Sequence, residues 1–251
     1  MKDLELLRQD EHYYGEIGRK YISNSDIGTL LNDPRQFKAN KKDNIAFAGG
    51  RLFHQLMLEP EKAVDFPYVE ASNRNTKIYK DFIKEKELEF AMLEKEYTDI
   101  HKMTSYATQN LFFFENVLGR DGENEVPAIG EIMGQMFKAK ADRVLDDIVL
   151  DLKSTSDIKK FKWSAYNYNY DSQAYIYQTL FGKPMVFFVV DKNAKEDFRG
   201  NIYYDMGVYP CSEEFVASGE AKVARALEIY NKFYGKDANE NIEDFIINLT
   251  L

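Results

Sequence analysis

A single cysteine, Cys211, stands among 251 residues, so no disulfide framework can form within the chain and a reducing cytoplasm is the expected home. That scarcity also excludes a four-thiolate zinc or iron–sulfur centre built by this chain alone. No apolar run approaches the roughly 18 residues a membrane helix needs, and the longest candidate, Met185 to Val190, has the length of a buried strand. Met1 to Gly15 is charged and lacks an apolar segment, so no secretory signal is expected there. Internal repeats and low-complexity linkers are absent. Positive charge is short overall, since 33 Lys and Arg against 42 Asp and Glu leave a formal charge of -9. That balance argues against a general nucleic-acid coat protein, because a phosphate backbone rewards positive charge.

What is present is ordinary globular composition, 44% hydrophobic and 30% charged, at a length that suits one large domain or two small ones. Such a chain can bury a core without covalent staples. Its charge is uneven: residues 132–163 hold seven Lys and Arg against five Asp, whereas residues from Ser212 onward hold eight Asp and Glu against four Lys and Arg. A basic middle followed by an acidic tail suits an enzyme acting on a polyanion.

Ser23 or Ser25 can cap a helix that Asp33-Pro34 ends, and Pro34 can open a short helix through Phe37. Ala46 to Leu58 reads as a helix with Phe47, Leu52, Phe53 and Leu56 on buried faces. Residues 76–116 suit one or two helices. Glu125 to Leu152 has strand character with a turn at Gly134, and Trp163 to Leu180 reads as one helix closed by Gly182 and Pro184. Met185 to Val190 and Asn201 to Tyr209 read as strands, and Ser212 to Tyr234 as a final helix. The fold class expected is α/β (α+β), a mixed central β-sheet flanked by helices. Residues 1–20 would be an N-terminal extension, 21–235 the main domain with a helical insertion at about 76–118, and 236–251 a tail.

The chemistry concentrates between Lys140 and Lys153. If Asp146-Asp147 forms a two-residue hairpin loop, Leu145 faces Ile148, Asp142 faces Asp151 and Lys140 faces Lys153. Facing side chains lie about 5 Å apart, and Asp151 and Lys153 project from one face. Two carboxylates set opposite each other repel unless a cation compensates, which suits Mg²⁺ or Mn²⁺. Lys153 could then orient or help deprotonate an attacking water, or steady charge on phosphorus. Solvent-exposed Asp and Lys on a surface hairpin would give the same spacing. Against that, Asp151 lies between Leu150 and Leu152 in a run that looks like an interior strand, where an aspartate needs a partner. Beyond it, Ser154, Thr155, Lys159 and Lys160 form a loop of hydroxyls and cations that could hold a DNA backbone. Arg51, with Lys41 and Lys42, could do so on the helix side; solvated surface residues are the alternative for both groups.

Asp142, then eight intervening residues, then Asp151-Leu152-Lys153 resembles the core motif of the PD-(D/E)xK nuclease superfamily. More specifically, the chain resembles the nuclease domain of RecE-type exodeoxyribonuclease VIII from phages and prophages. The likeness runs from about Tyr21 to Tyr234, through Ile22-Ser23-Asn24-Ser25, Phe47-Ala48-Gly49-Gly50-Arg51-Leu52-Phe53-His54, Leu58-Glu59-Pro60-Glu61 and the Gln173 to Tyr177 pair. Ala141 stands where the superfamily often has proline. The resemblance implies metal ligation by His54, Asp142, Asp151 and the Leu152 backbone carbonyl. It also implies roles beside the site for Gln173 and Tyr177, with Tyr177 touching DNA. Tyr166 and Tyr170 would continue the Gln173–Tyr177 face. Glu125 matches a glutamate that helps hold metal, with Glu131 as a rival. Read without the resemblance, His54 beside Phe53 and Leu56 suits a core histidine, and the Gln–Tyr pair suits aromatic packing onto a sheet.

The function implied is hydrolysis of double-stranded DNA from its ends, 5′ to 3′, leaving 5′-phosphates in phage-type recombination. Mg²⁺ or Mn²⁺ would be the cofactor, a homo-oligomeric ring (trimer or tetramer) the assembly, and a single-strand annealing protein the companion, in the host cytoplasm and without a membrane. The alternatives are another RecB-like nuclease without the four-cysteine iron–sulfur cluster that some carry, and a catalytically silent DNA-binding protein of the same fold.

Overall fold

Strands β1 (Gly122–Ile132) and β2 (Gln135–Leu145) are joined by Met133-Gly134, both with positive φ (50° and 79°), the turn geometry that matches strand twist. They pair antiparallel from Gly122↔Leu145 to Ile132↔Gln135. The expected second hairpin is present: Leu145 N–H donates to Ile148 O (2.9 Å), and Arg143↔Leu150 and Val144↔Val149 face each other as strand β3 (Val149–Thr155) begins. Next, β3 pairs parallel with β4 (Met185–Asp191), and β4 antiparallel with β5 (Met206–Pro210). The result is a five-stranded mixed sheet in the order β1-β2-β3-β4-β5. This computed structural model describes residues 2–40 and 42–246, and for residues 116–117 the backbone only. Met1, Lys41 and the last five residues of the expected tail therefore lie outside the described residues.

Alternate residues of the central strands enter two separate cores, which is why their sequences read as continuous apolar runs. Val149, Phe187 and Val189 join one core with Phe137, Ala139 and Ala141. That face is covered by α1 (Asn24–Asn32), through Ile27 and Leu30, and by two later helices, α5 (Tyr170–Phe181) and α6 (Glu213–Phe233). Leu150, Leu152, Phe188 and Val190 enter the other core, beneath α2 (Ile45–Leu58) and α3 (Glu94–Gln109). Each fully buried large side chain, such as Phe137 or Leu152, contributes on the order of 2 kcal/mol. An exposed ion pair contributes less than half of that. Packing therefore holds the sheet, and the site is built into it.

Local signals explain the element ends. Ser23 caps α1, with Asp26 Oδ2 accepting from both Ser23 N (2.8 Å) and Ser23 Oγ (2.7 Å). Pro34–Gln36 forms the expected short helix, of 3-10 type, and Asn44 Oδ1 caps α2. Three expectations are corrected. Trp163 to Leu180 is two helices, α4 (Phe161–Asn167) and α5, broken where Asn169 takes φ +58°, a left-handed conformation that asparagine tolerates. Asn169 O accepts from Asn24 Nδ2 (3.1 Å) and Ser172 Oγ (3.0 Å), which anchors the break to α1. Tyr166 therefore does not continue the Gln173–Tyr177 face but packs on Phe215, ring centroids 4.9 Å apart. Asn201 to Tyr209 likewise divides: Ile202–Tyr203 pairs with Lys195–Glu196 in a small separate sheet, while β5 edges the main one. Phe47, expected in the core, is 48% exposed. Among the described residues no helix is long and apolar enough to cross a membrane.

Candidate active site

Strands β2 and β3 stay paired only next to their turn and then diverge, and the site fills the fork between them. In an unbroken ladder the N–H and C=O of Leu152 would bond to β2. Here Asp142 Oδ2 accepts from Leu152 N–H (2.6 Å), and His54 Nε2 donates to Leu152 O (2.9 Å). The middle residue of the Asp-Leu-Lys motif thus spends its backbone groups on holding two site side chains, and no buried group there is left orphaned. His54 arrives from α2, whose Leu52 and Phe53 are fully buried against β3 and β4. Its other nitrogen, Nδ1, lies 3.2 Å from Asp142 Oδ1.

Asp151 and Lys153 are buried or nearly so beneath α5. Lys153 Nζ lies 2.5 Å from Asp151 Oδ2 and 4.8 Å above the centre of the Tyr170 ring. Gln173 Nε2 donates to Asp151 Oδ1 (2.5 Å). Asp151 Oδ2 is fully buried, and the Lys153 ammonium is its close partner. The third acid is Glu125. The β1–β2 register, with Asn124↔Arg143 and Val126↔Ala141, sets it across from Asp142. Lys140 Nζ approaches Glu125 at 3.3 Å and is shared with Asp10 at 2.5 Å. Glu131, the rival, is exposed toward the far end of β1.

Burial and mutual charge set the protonation states. Burial alone would lower His54, but the Asp142 carboxylate outweighs it and holds the imidazole up at about 9. Both ring nitrogens face acceptors, which is an imidazolium arrangement. Burial would raise Asp142, yet His54, Lys153 and the Leu152 amide keep it below the usual carboxylate range. Burial pushes Asp151 up to about 6 despite Lys153, and burial with the neighbouring Asp142 charge pushes Glu125 up to about 7. Against the cost of burial, Asp151 keeps the Lys153 ammonium protonated.

Ligand atoms of His54, Glu125 and Asp142 all lie within 4.8 Å of one another. Once a cation displaces the His54 proton, two carboxylates and an imidazole form an oxygen and nitrogen set fit for a small divalent ion. The chain therefore has a possible metal site, with the cation not specified by these residues. Asp151, expected as a ligand, lies beside this set and pairs with Lys153 and Gln173. The Leu152 carbonyl is engaged by His54.

The other expected residues separate by burial. Tyr177 is buried, its hydroxyl donating to Lys140 O (2.9 Å), so it braces β2 rather than reaching solvent. Arg51 stands at the mouth of the cleft, held by Asp43 at 2.5 and 3.1 Å. Ser154 and Thr155 line an adjoining groove, while Lys159 and Lys160 are exposed outside it, Lys160 paired with Asp157. Asp10, Tyr13 and Lys140, not singled out in the sequence as site residues, line the main cleft of about 790 Å³. Tyr13 is pinned there by Lys138, whose Nζ donates to its carbonyl and sits 4.0 Å over its ring. Two lysines on alternate residues of an otherwise apolar strand were the signal for that contact.

Glu125 has φ +51°, a left-handed conformation that costs a residue with a Cβ about 1–2 kcal/mol. Strain of this kind persists only where the surrounding structure over-determines it. Glu125→Gly is expected to raise stability in chelator by about 1 kcal/mol, after allowing for the greater freedom of glycine in the unfolded chain. Its Mn²⁺ affinity should fall at least about tenfold. Urea denaturation and calorimetric titration read the two effects; a destabilised variant that binds Mn²⁺ like the wild type contradicts both.

No curated protein matches the chain at a significant level. A Eubacterium rectale structure described as "Putative exonuclease" aligns over 97% of this chain and 95% of its own, at 14% identity and TM-score 0.65, which shows a shared fold. A phage-related exonuclease from Haemophilus somnus 129PT aligns over 84% of this chain and 94% of its own, at 12% identity, with a TM-score of 0.38 too low to carry an argument. Residues 30–240 match the family model of the PDDEXK-like domain of unknown function (DUF3799), and the chain belongs to that family, within the PD-(D/E)xK nuclease superfamily.

Proposed function

We propose that the chain is a divalent-metal-dependent deoxyribonuclease that hydrolyses double-stranded DNA from its ends, with Mg²⁺ or Mn²⁺ as cofactor. The observation that carries this reading is the fork itself. It brings His54, Glu125 and Asp142 within one ion's reach, beside a buried Asp151–Lys153 pair, in a single open cleft. A cation held there supplies charge stabilisation on the phosphoryl oxygens and acidifies water.

The residues of the chain do the rest. Lys153, kept protonated by Asp151, donates to the phosphoryl oxygens as charge builds on them and is not the base. Asp151, which lines the cleft, accepts a proton from the attacking water. Gln173 fixes the Asp151 carboxylate in that orientation. The water oxygen bonds to phosphorus, the bond from phosphorus to the 3′ oxygen breaks, that oxygen takes a proton from solvent, and the products are a 5′-phosphate and a 3′-hydroxyl.

The resemblance to RecE-type exonucleases supports the finer reading: 5′ to 3′ degradation in phage-type recombination, a homo-oligomeric ring (trimer or tetramer), and a single-strand annealing protein as companion. The pure protein should degrade linear duplex DNA with Mg²⁺ or Mn²⁺, do nothing in chelator, and spare closed circles. Binding to DNA without metal-dependent degradation would instead identify a silent DNA-binding protein of this fold. Degradation of closed circles would remove the requirement for ends.

A further inference from the structure

At one end the cleft continues into a narrower groove of about 350 Å³ whose lining includes Phe47, Tyr168, Ser154, Ser156, Ser164 and Lys192. Its charge is the reverse of what surrounds it. Seven carboxylates line the main cleft (Asp10, Asp43, Glu59, Glu89, Glu125, Asp142 and Asp151), yet none lines the groove, where Lys153 and Lys192 are the charged groups beside His54. In a chain of net charge -9, a polyanion meets less repulsion in this acid-free stretch than in the main cleft.

Its walls carry exposed aromatic rings. Phe47 lies two turns before His54 on the same side of α2 and is 48% exposed; Tyr168, at the break before α5, is 66% exposed. The Tyr168 ring is 5.9 Å from that of Tyr170, which in turn lies under Lys153 Nζ, so a line of rings runs from the catalytic lysine out to solvent. Ser154, Ser156 and Ser164 also line it, the Ser164 hydroxyl donating to Phe161 O (3.1 Å).

Resting on the nuclease reading above, we propose that this groove holds an unpaired DNA strand, its bases stacked on Phe47 and Tyr168 and its phosphates on Lys192 and the Ser154 and Ser156 hydroxyls. Paired bases in a duplex hide their faces, so exposed rings gain nothing from them, whereas splayed bases stack on aromatic side chains. The groove has the size of a small-molecule site, suited to a nucleotide and too small for a duplex. The strand would reach Lys153 already separated from its complement.

The test is fluorescence anisotropy in chelator, with duplexes carrying a thymine overhang, an abasic overhang of equal length, or no overhang. Phe47→Ala and Tyr168→Ala should each weaken thymine-overhang binding about tenfold, leaving abasic and blunt binding unchanged. Phe47→Trp should retain the affinity. Both side chains are exposed, so unaltered melting temperatures confirm folded variants. Unchanged thymine binding in both alanine variants, or an equal loss on the abasic overhang, overturns base stacking. Because this readout needs no metal, overhang binding by a wild type that degrades no DNA would sink the nuclease reading alone. Metal-dependent degradation with insensitive overhang binding would sink the groove alone.

Discussion

Asp142→Asn is expected to lower metal-dependent DNA cleavage by about 10³-fold or more, the scale set by removing one preorganised charge from an active site. The same variant should remain folded. An asparagine oxygen can still accept the Leu152 N–H that Asp142 Oδ2 takes now, so the fork keeps its shape. What disappears is the negative charge that raises His54 and that lies within 4.8 Å of donor atoms on His54 and Glu125. Lys153→Met should reduce cleavage comparably for a different reason. It leaves the Asp151 carboxylate buried without its counter-charge, and Asp151 then holds a proton rather than accepting one. Gel assays with Mg²⁺ and with Mn²⁺, alongside melting curves, check both. Cleavage within tenfold of wild type by a folded Asp142→Asn protein would move the chemistry out of the fork.

Gly219→Ala should cost about 3 kcal/mol of stability, the upper end for a forced overpacking. A Cβ at Gly219 in α6 would lie 2.0 Å from the backbone oxygen of Asp171 and 2.8 Å from the Ser172 nitrogen, at the first turn of α5. That turn cannot retreat. Asp171 is completely buried and held by Ser218 Oγ and Lys222 Nζ, both at 2.8 Å, and Lys222 also donates to Tyr166 O (2.6 Å). The clash must push α5 away from α6, and α5 carries Gln173 and Tyr177. Cleavage per folded molecule should therefore fall as well, since small misplacements of positioning groups lower rates steeply. Chemical denaturation of Gly219→Ala against the exposed control Glu220→Ala reads the loss. Equal stabilities would show that the two helices adjust to each other freely.

Much of this was written locally. The Asp146-Asp147 turn, flanked by aliphatic runs, specified a hairpin, and a hairpin loop of two residues leaves one register. The Ser23 cap, the Asp33-Pro34 stop and the helix carrying His54 followed from neighbours in sequence for the same reason. Where prediction missed, the deciding contact lay far along the chain. Asn167 and Asn169 beside Tyr168 permit a helix break, but Asn24 of α1 and the buried Asp171 fix it there. Nothing near Phe47 says that its side of α2 faces an open groove while Leu52 and Phe53 face the sheet.

The sequence by itself determined the two-core sheet, its hairpins, and which acids and which lysine could meet, because pleat and turn geometry act over a few residues. Only the tertiary structure decided how they meet. The parting of β2 from β3 turns Asp142 and His54 onto the Leu152 backbone. The β1 register brings the strained Glu125 to Asp142 in place of Asp151. The N-terminal Asp10 reaches Lys140 across 130 residues. Those arrangements arise from strand pairing and burial among distant segments, whose energies no local pattern of residues records.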